Sequence, residues 1–258
     1  IFMVVGSGNE LPVPESRSRD EDDKCHFDIP KGTTCITRDS LEKWGVDKTQ
    51  LTSVTIPYSV TVIERGAFAY CCSLVAVTIP SSVTVIREEA FHQCSSLTMV
   101  SIPDSVTVIE RGAFGYCCSL VAVTIPSSVT VIEAGVFSGC KSLATVSIPD
   151  SVTVIEGCAF SNCRSLATVS IPNSVTTIGK FAFDECLSLV AVTIPNSVTI
   201  IEEEAFTFCG ALAAVTIPTS VTTIKADVFS YCGALAKVTI PDSVTVIEKA
   251  AFTYCEAL

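Results

Sequence analysis

The sequence contains few of the residues from which catalytic sites are commonly assembled. Its 258 residues include two histidines, His26 and His92, one tryptophan, Trp44, and two methionines. A zinc site needs about four convergent ligands and a Ser-His-Asp triad needs a base beside its nucleophile. No serine has a base nearby in sequence. Ser59, Ser82, Ser105 and their equivalents read as turn or strand-edge hydroxyls. There is no glycine-rich phosphate loop. No run of 18 apolar residues exists, so no segment reads as a spanning helix. Glycosylation acceptors are missing too, because Asn173 and Asn196 open Asn-Ser-Val triplets. Charge is sparse at 17% and lopsided, with 16 basic and 27 acidic residues and a net charge of −11. An acidic surface disfavours nucleic acid and anionic membranes as partners.

What the sequence has is repetition. Leucines recur every 23 residues, at 51, 74, 97, 120, 143, 166, 189, 212, 235 and 258. Each unit reads L-x-x-V-[TS]-I-P-x-S-V-T-x-I-x-x-x-[AV]-F-x-x-C-x-x. The phenylalanine column runs from Phe68 to Phe252 and the cysteine column from Cys71 to Cys255. Nine complete units fill 51–257. A unit this short cannot bury its own apolar face, so units must stack. Val123-Thr124-Ile125 alternates as a short strand does, with Val and Ile inward and Thr outward. Proline then ends the strand, since it has no N–H for the ladder. Ser-Val-Thr-x-Ile continues extended, and the Ala-Phe segment turns the chain back through a helical or 3₁₀ turn. Stacked at ~4.8 Å, nine coils give a rod or arc roughly 45 Å long with one parallel sheet along a face.

The words "LVAVTIPSSVTVI" followed by "AFxxC", in register nine times over about four-fifths of the chain, resemble the BspA-like branch of the leucine-rich repeats. The resemblance implies a curved, right-handed α/β solenoid, rich in β-structure. It also implies cell-surface and interaction proteins without a shared catalytic site.

Fourteen cysteines in a short chain suggest disulfides or metal, but nine belong to the column. A column supplies one ligand per coil along a line, not four at a point. Its members read as inward thiols near a tight turn, acting as small hydrophobes. Cys72 and Cys118 lie two coils apart, beyond bridging distance. Cys25 and Cys35, outside the repeats, are the one candidate disulfide.

The ends differ from the middle. Residues 25–50 read as a degenerate cap repeat: Phe27-Asp28-Ile29-Pro30 matches V-T-I-P, Ile36 matches the second Ile and Trp44 takes the cysteine place. Asp39 with Glu42 reads as a capping box opening a short helix that Gly45 ends. Residues 1–24 form an extended polar tail behind "IFMVV", a composition that does not build a core. The chain opens on Ile1 and stops one residue into a tenth unit, at Leu258, as a processed or excerpted chain would. The tail and the uncapped last coil are expected to contact other protein chains.

Outward residues give the candidate surfaces. The strand face carries Thr or Ser in every unit, including Thr55, Thr78, Thr124, Thr193 and Thr216. Regular Thr columns can order water, which makes ice binding a remote reading. Two residues after each Phe stand Tyr70, Gln93, Tyr116, Phe208, Tyr231 and Tyr254, a candidate aromatic ridge. Glutamates follow the second Ile at 64, 110, 133, 156, 202 and 248, where a solvated face outweighs a Ca²⁺ site. His92 falls in a variable slot expected to face solvent. These features lead to a non-catalytic interaction scaffold, an accessory or structural subunit of a larger assembly, with no cofactor and no metal. A cell-surface adhesin or receptor-like binder is the alternative. The compartment is therefore open between the cell surface and a large assembly.

Overall fold

The computed structural model describes residues 25–258. The tail read at 1–24 lies outside the described residues. The chain winds as a β-solenoid in which the 23-residue unit is one coil. Coil 1 begins at Leu51 and coil 9 at Leu235.

Each coil has three sides. The first is a short parallel strand, such as Leu51–Thr55 in coil 1 and Ala122–Thr124 in coil 4. The second is a two-residue strand, such as Val62–Ile63 and Val131–Ile132. Both sides pair parallel with the coils above and below, Val154 beside Val131 and Val146 beside Val123. The expectation of one sheet is therefore corrected to two parallel ladders. Their cause is the sequence Ile-Pro-x-Ser-Val: proline ends one strand, the Val amide closes a turn onto the proline carbonyl (Val129 N to Pro126 O, 3.0 Å), and the chain resumes extended on a new side. The α/β label is corrected as well. The single α-helix among the described residues is Ser40–Lys43.

The third side is neither helix nor strand. Around each phenylalanine, alternate amides turn back three residues within the coil, as Ala67 N does to Glu64 O and Ala69 N to Gly66 O. The amides between them reach the next coil. Gly66, Phe68 and Tyr70 donate to Glu88, Ala90 and His92 at 3.0, 2.8 and 2.8 Å. This geometry places two columns in the left-handed region, flanking the phenylalanine. Tyr70, Gln93, Asn162, Phe208 and Tyr231 have φ of 55–66° in one, and Glu89, Cys158 and Asp227 have φ of 56–57° in the other. Each such non-glycine residue costs about 1–2 kcal/mol. The cost persists because each directs an N–H at a carbonyl one coil along, and an unmade buried bond would cost about as much.

The third side is also the continuous one. The phenylalanine-column bonds run from Phe68 N to Ala90 O through to Phe229 N to Ala251 O without a gap. Strand pairing on the first side lapses between coils 5 and 6, and between coils 3 and 4 it thins to Val121 N to Thr98 O at 3.3 Å. On the second side it lapses between coils 3 and 4 and between coils 7 and 8. A small apolar gap lined by Ile109, Val129, Ile132, Val136 and Phe137 lies at the coil 3–4 lapse.

Inside, one core runs the length of the stack. Phenylalanine rings stack at 5.1–5.7 Å with planes within 12° from Phe68 to Phe252. Leu, Val and Ile fill the rest. Residues 25–50 form a coil of related plan. Cys25–Asp28 pairs with Leu51–Thr55, and Phe27, Ile29 and Ile36 are buried. The helix replaces the third side there. The capping box at its start does not form. Asp39 makes no side-chain cap bond, and Ser40 Oγ instead accepts from Thr37 N at 2.9 Å. Gly45 ends the helix at φ +68°, with Val46 N donating to Leu41 O at 2.8 Å. Trp44 stacks on Phe27 at 5.7 Å.

Phe160 lies mid-stack between Phe137 and Phe183. Truncating it by Phe160→Ala is expected to lower stability by about 3–5 kcal/mol in denaturant titration. A loss below about 1 kcal/mol would show that the ring stack is not what holds adjacent coils.

Candidate functional site

The cysteine column is a structural device. Cys94 Sγ donates to Phe68 O at 3.2 Å, Cys117 to Phe91 O at 3.2 Å, and the pattern repeats to Cys255 and Phe229 O. Each thiol thus closes one carbonyl of the coil before it. Burial pushes the Cys71, Cys117, Cys163 and Cys232 thiols up to about 12. A thiol held protonated by burial is a poor nucleophile. Cys25 and Cys35 are free thiols on different sides of the cap coil, opposite Leu51 and Val62 respectively.

The strand face carries small side chains and few charges. Thr55, Thr78, Thr124, Thr193 and Thr216 are all exposed, in register with their neighbours, as Thr78 is with Ser101 and Thr216 with Thr239. Beside them run Ala76, Met99, Ala122, Ala191 and Ala214, then Lys237.

At the first coils this face carries an arrangement absent from the sequence reading. His26 Nδ1 lies 2.8 Å from Ser53 Oγ, and His26 Nε2 lies 3.1 Å from Asp28 Oδ1 and 3.2 Å from Thr55 Oγ1. Hydrogen bonds from Thr55 and His26 hold the Asp28 carboxyl below its ordinary range. The trio has triad composition, but it stands on the open face of a parallel ladder. Backbone N–H groups there lie in the plane of the sheet, so no donor pair points at an oxyanion over Ser53. Its evident effect is to tie the cap strand to coil 1. The signal for it was the 27-residue step between His26 and Ser53, which parallel pairing converts into contact.

The aromatic ridge divides into two groups. Phe208, Tyr231 and Tyr254 form one stack, with centroids 4.3 and 4.6 Å apart and planes within 24°. Tyr70 and Tyr116 instead lie edge-on to His92 at 6.0 and 5.4 Å. His92 is therefore not the solvent-facing residue expected. It is half-buried, and its Nδ1 is buried without a hydrogen-bond partner. The physical reason is the left-handed residue that follows the slot, which points outward and leaves the slot inside. Thr207 and Ser230 occupy the same slot and are buried, their hydroxyls 2.7 Å apart.

Asp184 also occupies that slot. Burial pushes its carboxyl up to about 6, partly opposed by a 3.2 Å hydrogen bond from Ser161, with Glu185 and Glu204 adding repulsion. The glutamate column is ion-paired at two of its six positions, while burial and the neighbouring Glu156 push the Glu133 carboxyl up. Arg87 bonds Glu110 at 2.8 Å and Lys225 bonds Glu202 at 2.6 Å. Among the described residues no group of three or more His, Cys, Asp or Glu could hold a metal ion. No helix there is long and apolar enough to cross a membrane.

These features define a β-solenoid of stacked repeats. The family described as the BspA type leucine-rich repeat region matches residues 26–144 and again 132–258, so the chain belongs to that family. No curated protein matches. Among solved structures, a leucine-rich repeat protein from Bacteroides ovatus is 24% identical, with a TM-score of 0.67 over 94% of this chain and 79% of that one. The leucine-rich repeat protein of T. pallidum is 31% identical, with a TM-score of 0.58 over 74% of this chain and 83% of that one. No catalytic family is indicated.

Asp184 supplies a pH-dependent prediction. Its folded value lies above the ordinary carboxylate value, so it favours the fold below pH ~4 and progressively less as pH rises through 6. Asp184→Asn should leave stability unchanged near pH 4 and raise it by about 1 kcal/mol at pH 7.5, after discounting for solvent screening. Denaturant midpoints at both pH values test this; equal shifts at both would contradict it.

Proposed function

We propose that the chain is a non-catalytic protein-interaction scaffold, serving as an accessory or structural subunit of a larger assembly. The observation that carries this reading is the strand face, a flat strip of Thr, Ser and Ala about nine coils long with few charges. Such a surface offers little to grip a small ligand and much to lay against another protein. Membership of a leucine-rich repeat family supports a binding role. The Cys25–Cys35 disulfide would favour an adhesin exported to the cell surface; free thiols fit the assembly reading.

A second Thr column, the threonine that follows Ser-Val in each unit, also bears on the ice-binding reading. Thr84, Thr107, Thr153, Thr176, Thr199 and Thr245 turn their hydroxyls to the threonine carbonyl one coil back, at 3.2–3.4 Å. On that column the donors are committed within the protein and are not free to order a water lattice, which leaves only the strand-face column for ice binding and favours the scaffold.

Native co-purification tests the proposal. Isolated from its own source under mild conditions, the protein is expected in a large particle with constant stoichiometry and other chains identified by mass spectrometry. A lone monomer stripped from the cell surface would overturn the subunit role and leave the adhesin.

A further inference from the structure

The repeat changes character on its turn side between coils 6 and 7. In coils 4 and 5 the residue after the column cysteine is Lys141 and Arg164, and the next is serine. In coils 7 and 8 the same two positions read Gly210-Ala211 and Gly233-Ala234. Immediately beside them stands the Phe208–Tyr231–Tyr254 stack, each ring 42–61% exposed. Leu187 and Val190 extend the apolar surface and are also exposed. Along the stack, charge resumes with the Arg164–Glu185 ion pair at 2.7 Å on one side and Glu256 on the other.

The patch has two parallel parts, a ridge of rings and an empty shoulder. A Cβ added to Gly210 or Gly233 would meet nothing within 4 Å. Both parts step with the coil repeat, the rings at 4.3 and 4.6 Å. A knob row next to a hole row of equal pitch is complementary to itself. Turned about a two-fold axis, the ridge of one copy lies on the shoulder of the other, and the reverse contact forms at the same time. Phe208 then meets the second copy's Gly233 region and Tyr231 its Gly210 region. The rings and the glycine shoulder carry no charge; like charges meet only at the edge of this register, where Glu185, ion-paired to Arg164, comes opposite the second copy's Glu256.

Area sets the strength. A ring buries about 150–250 Å² when fully enclosed, and three half-exposed rings therefore have about 300 Å² left to cover. Leucine, valine and the alanines bring this to about 500 Å² per copy. The total of about 1,000 Å² is at the lower limit for a specific interface and fits a weak, micromolar association. We propose that the aromatic shoulder of coils 7–9 is a homodimer interface, the occupant being a second copy of this chain.

The proposal does not rest on the scaffold reading, since a dimer forms or fails in the pure protein. Sedimentation of the full chain over about 1–200 μM is the test, with the double variant Gly210→Arg/Gly233→Arg as control. Both glycines have ordinary backbone angles and open space, so the variant should fold with unchanged circular dichroism and melting. The expected result is a concentration-dependent monomer–dimer shift in the natural chain and monomer throughout in the variant. A natural chain monomeric at about 200 μM would overturn the proposal. So would a dimer that survives both arginines.

Discussion

The structure depends on one hydrogen bond repeated along the stack, from the amide of each core phenylalanine to the next coil's carbonyl. It makes the third side of the coil a ladder, and this ladder persists where strand pairing lapses. The bond has a geometric requirement. For the phenylalanine amide to point along the stack, residues two before and two after it must adopt left-handed backbone. The chain accepts about 1–2 kcal/mol at each of these positions, even at tyrosine, phenylalanine and glutamate, because the alternative is a row of buried unmet donors. The thiol of the column cysteine then closes the remaining valence of the phenylalanine carbonyl from the following coil. Phe, Cys and the left-handed pair therefore form one unit, and the 23-residue period is the length that returns them to register.

The surfaces follow from the same constraint. A left-handed residue two after the phenylalanine must project outward, so whatever stands there is displayed. Where it is Phe208, Tyr231 or Tyr254, display at the coil pitch produces a stack of rings. The residue just before it is turned inward, which explains why Thr207 and Ser230 are buried and His92 and Asp184 half-buried. The strand face obeys the simpler rule of alternation and presents Thr and Ser. Function in such a protein resides in which displayed positions depart from the repeat, since the repeat itself is committed to stability.

Much of this was legible in the sequence. The period gave the stacking, the Ile-Pro-x-Ser-Val words gave the strand and its end, and the conserved spacing of Phe and Cys gave the core columns. Phe27, Ile29 and Ile36, matched to repeat positions in the sequence, are buried beside coil 1. The second ladder was not recognised as a sheet, because two-residue strands carry too little alternation to stand out from a loop. The left-handed columns were also missed. Gly66, Gly112, Gly135, Gly139 and Asn162 are their only compositional trace, and they are outnumbered by residues that ordinarily avoid positive φ. The inward slot of His92 follows from those columns and was misjudged with them. The His26–Ser53–Asp28 contact needed a pairing register across the cap, which the irregular spacing of residues 45–50 hid.

Native-state hydrogen exchange resolved to single amides tests the central claim most directly. If the turn-side ladder holds the stack, the Phe114 and Phe160 amides should exchange only with opening of the coil stack itself. They cross the coil 3–4 and 5–6 boundaries, where pairing of the first-side strands thins or lapses. Strand-side amides at the same boundaries, such as Ile148, should exchange markedly faster. Equal or faster exchange at Phe114 and Phe160 would contradict the account and return the main role to the strands.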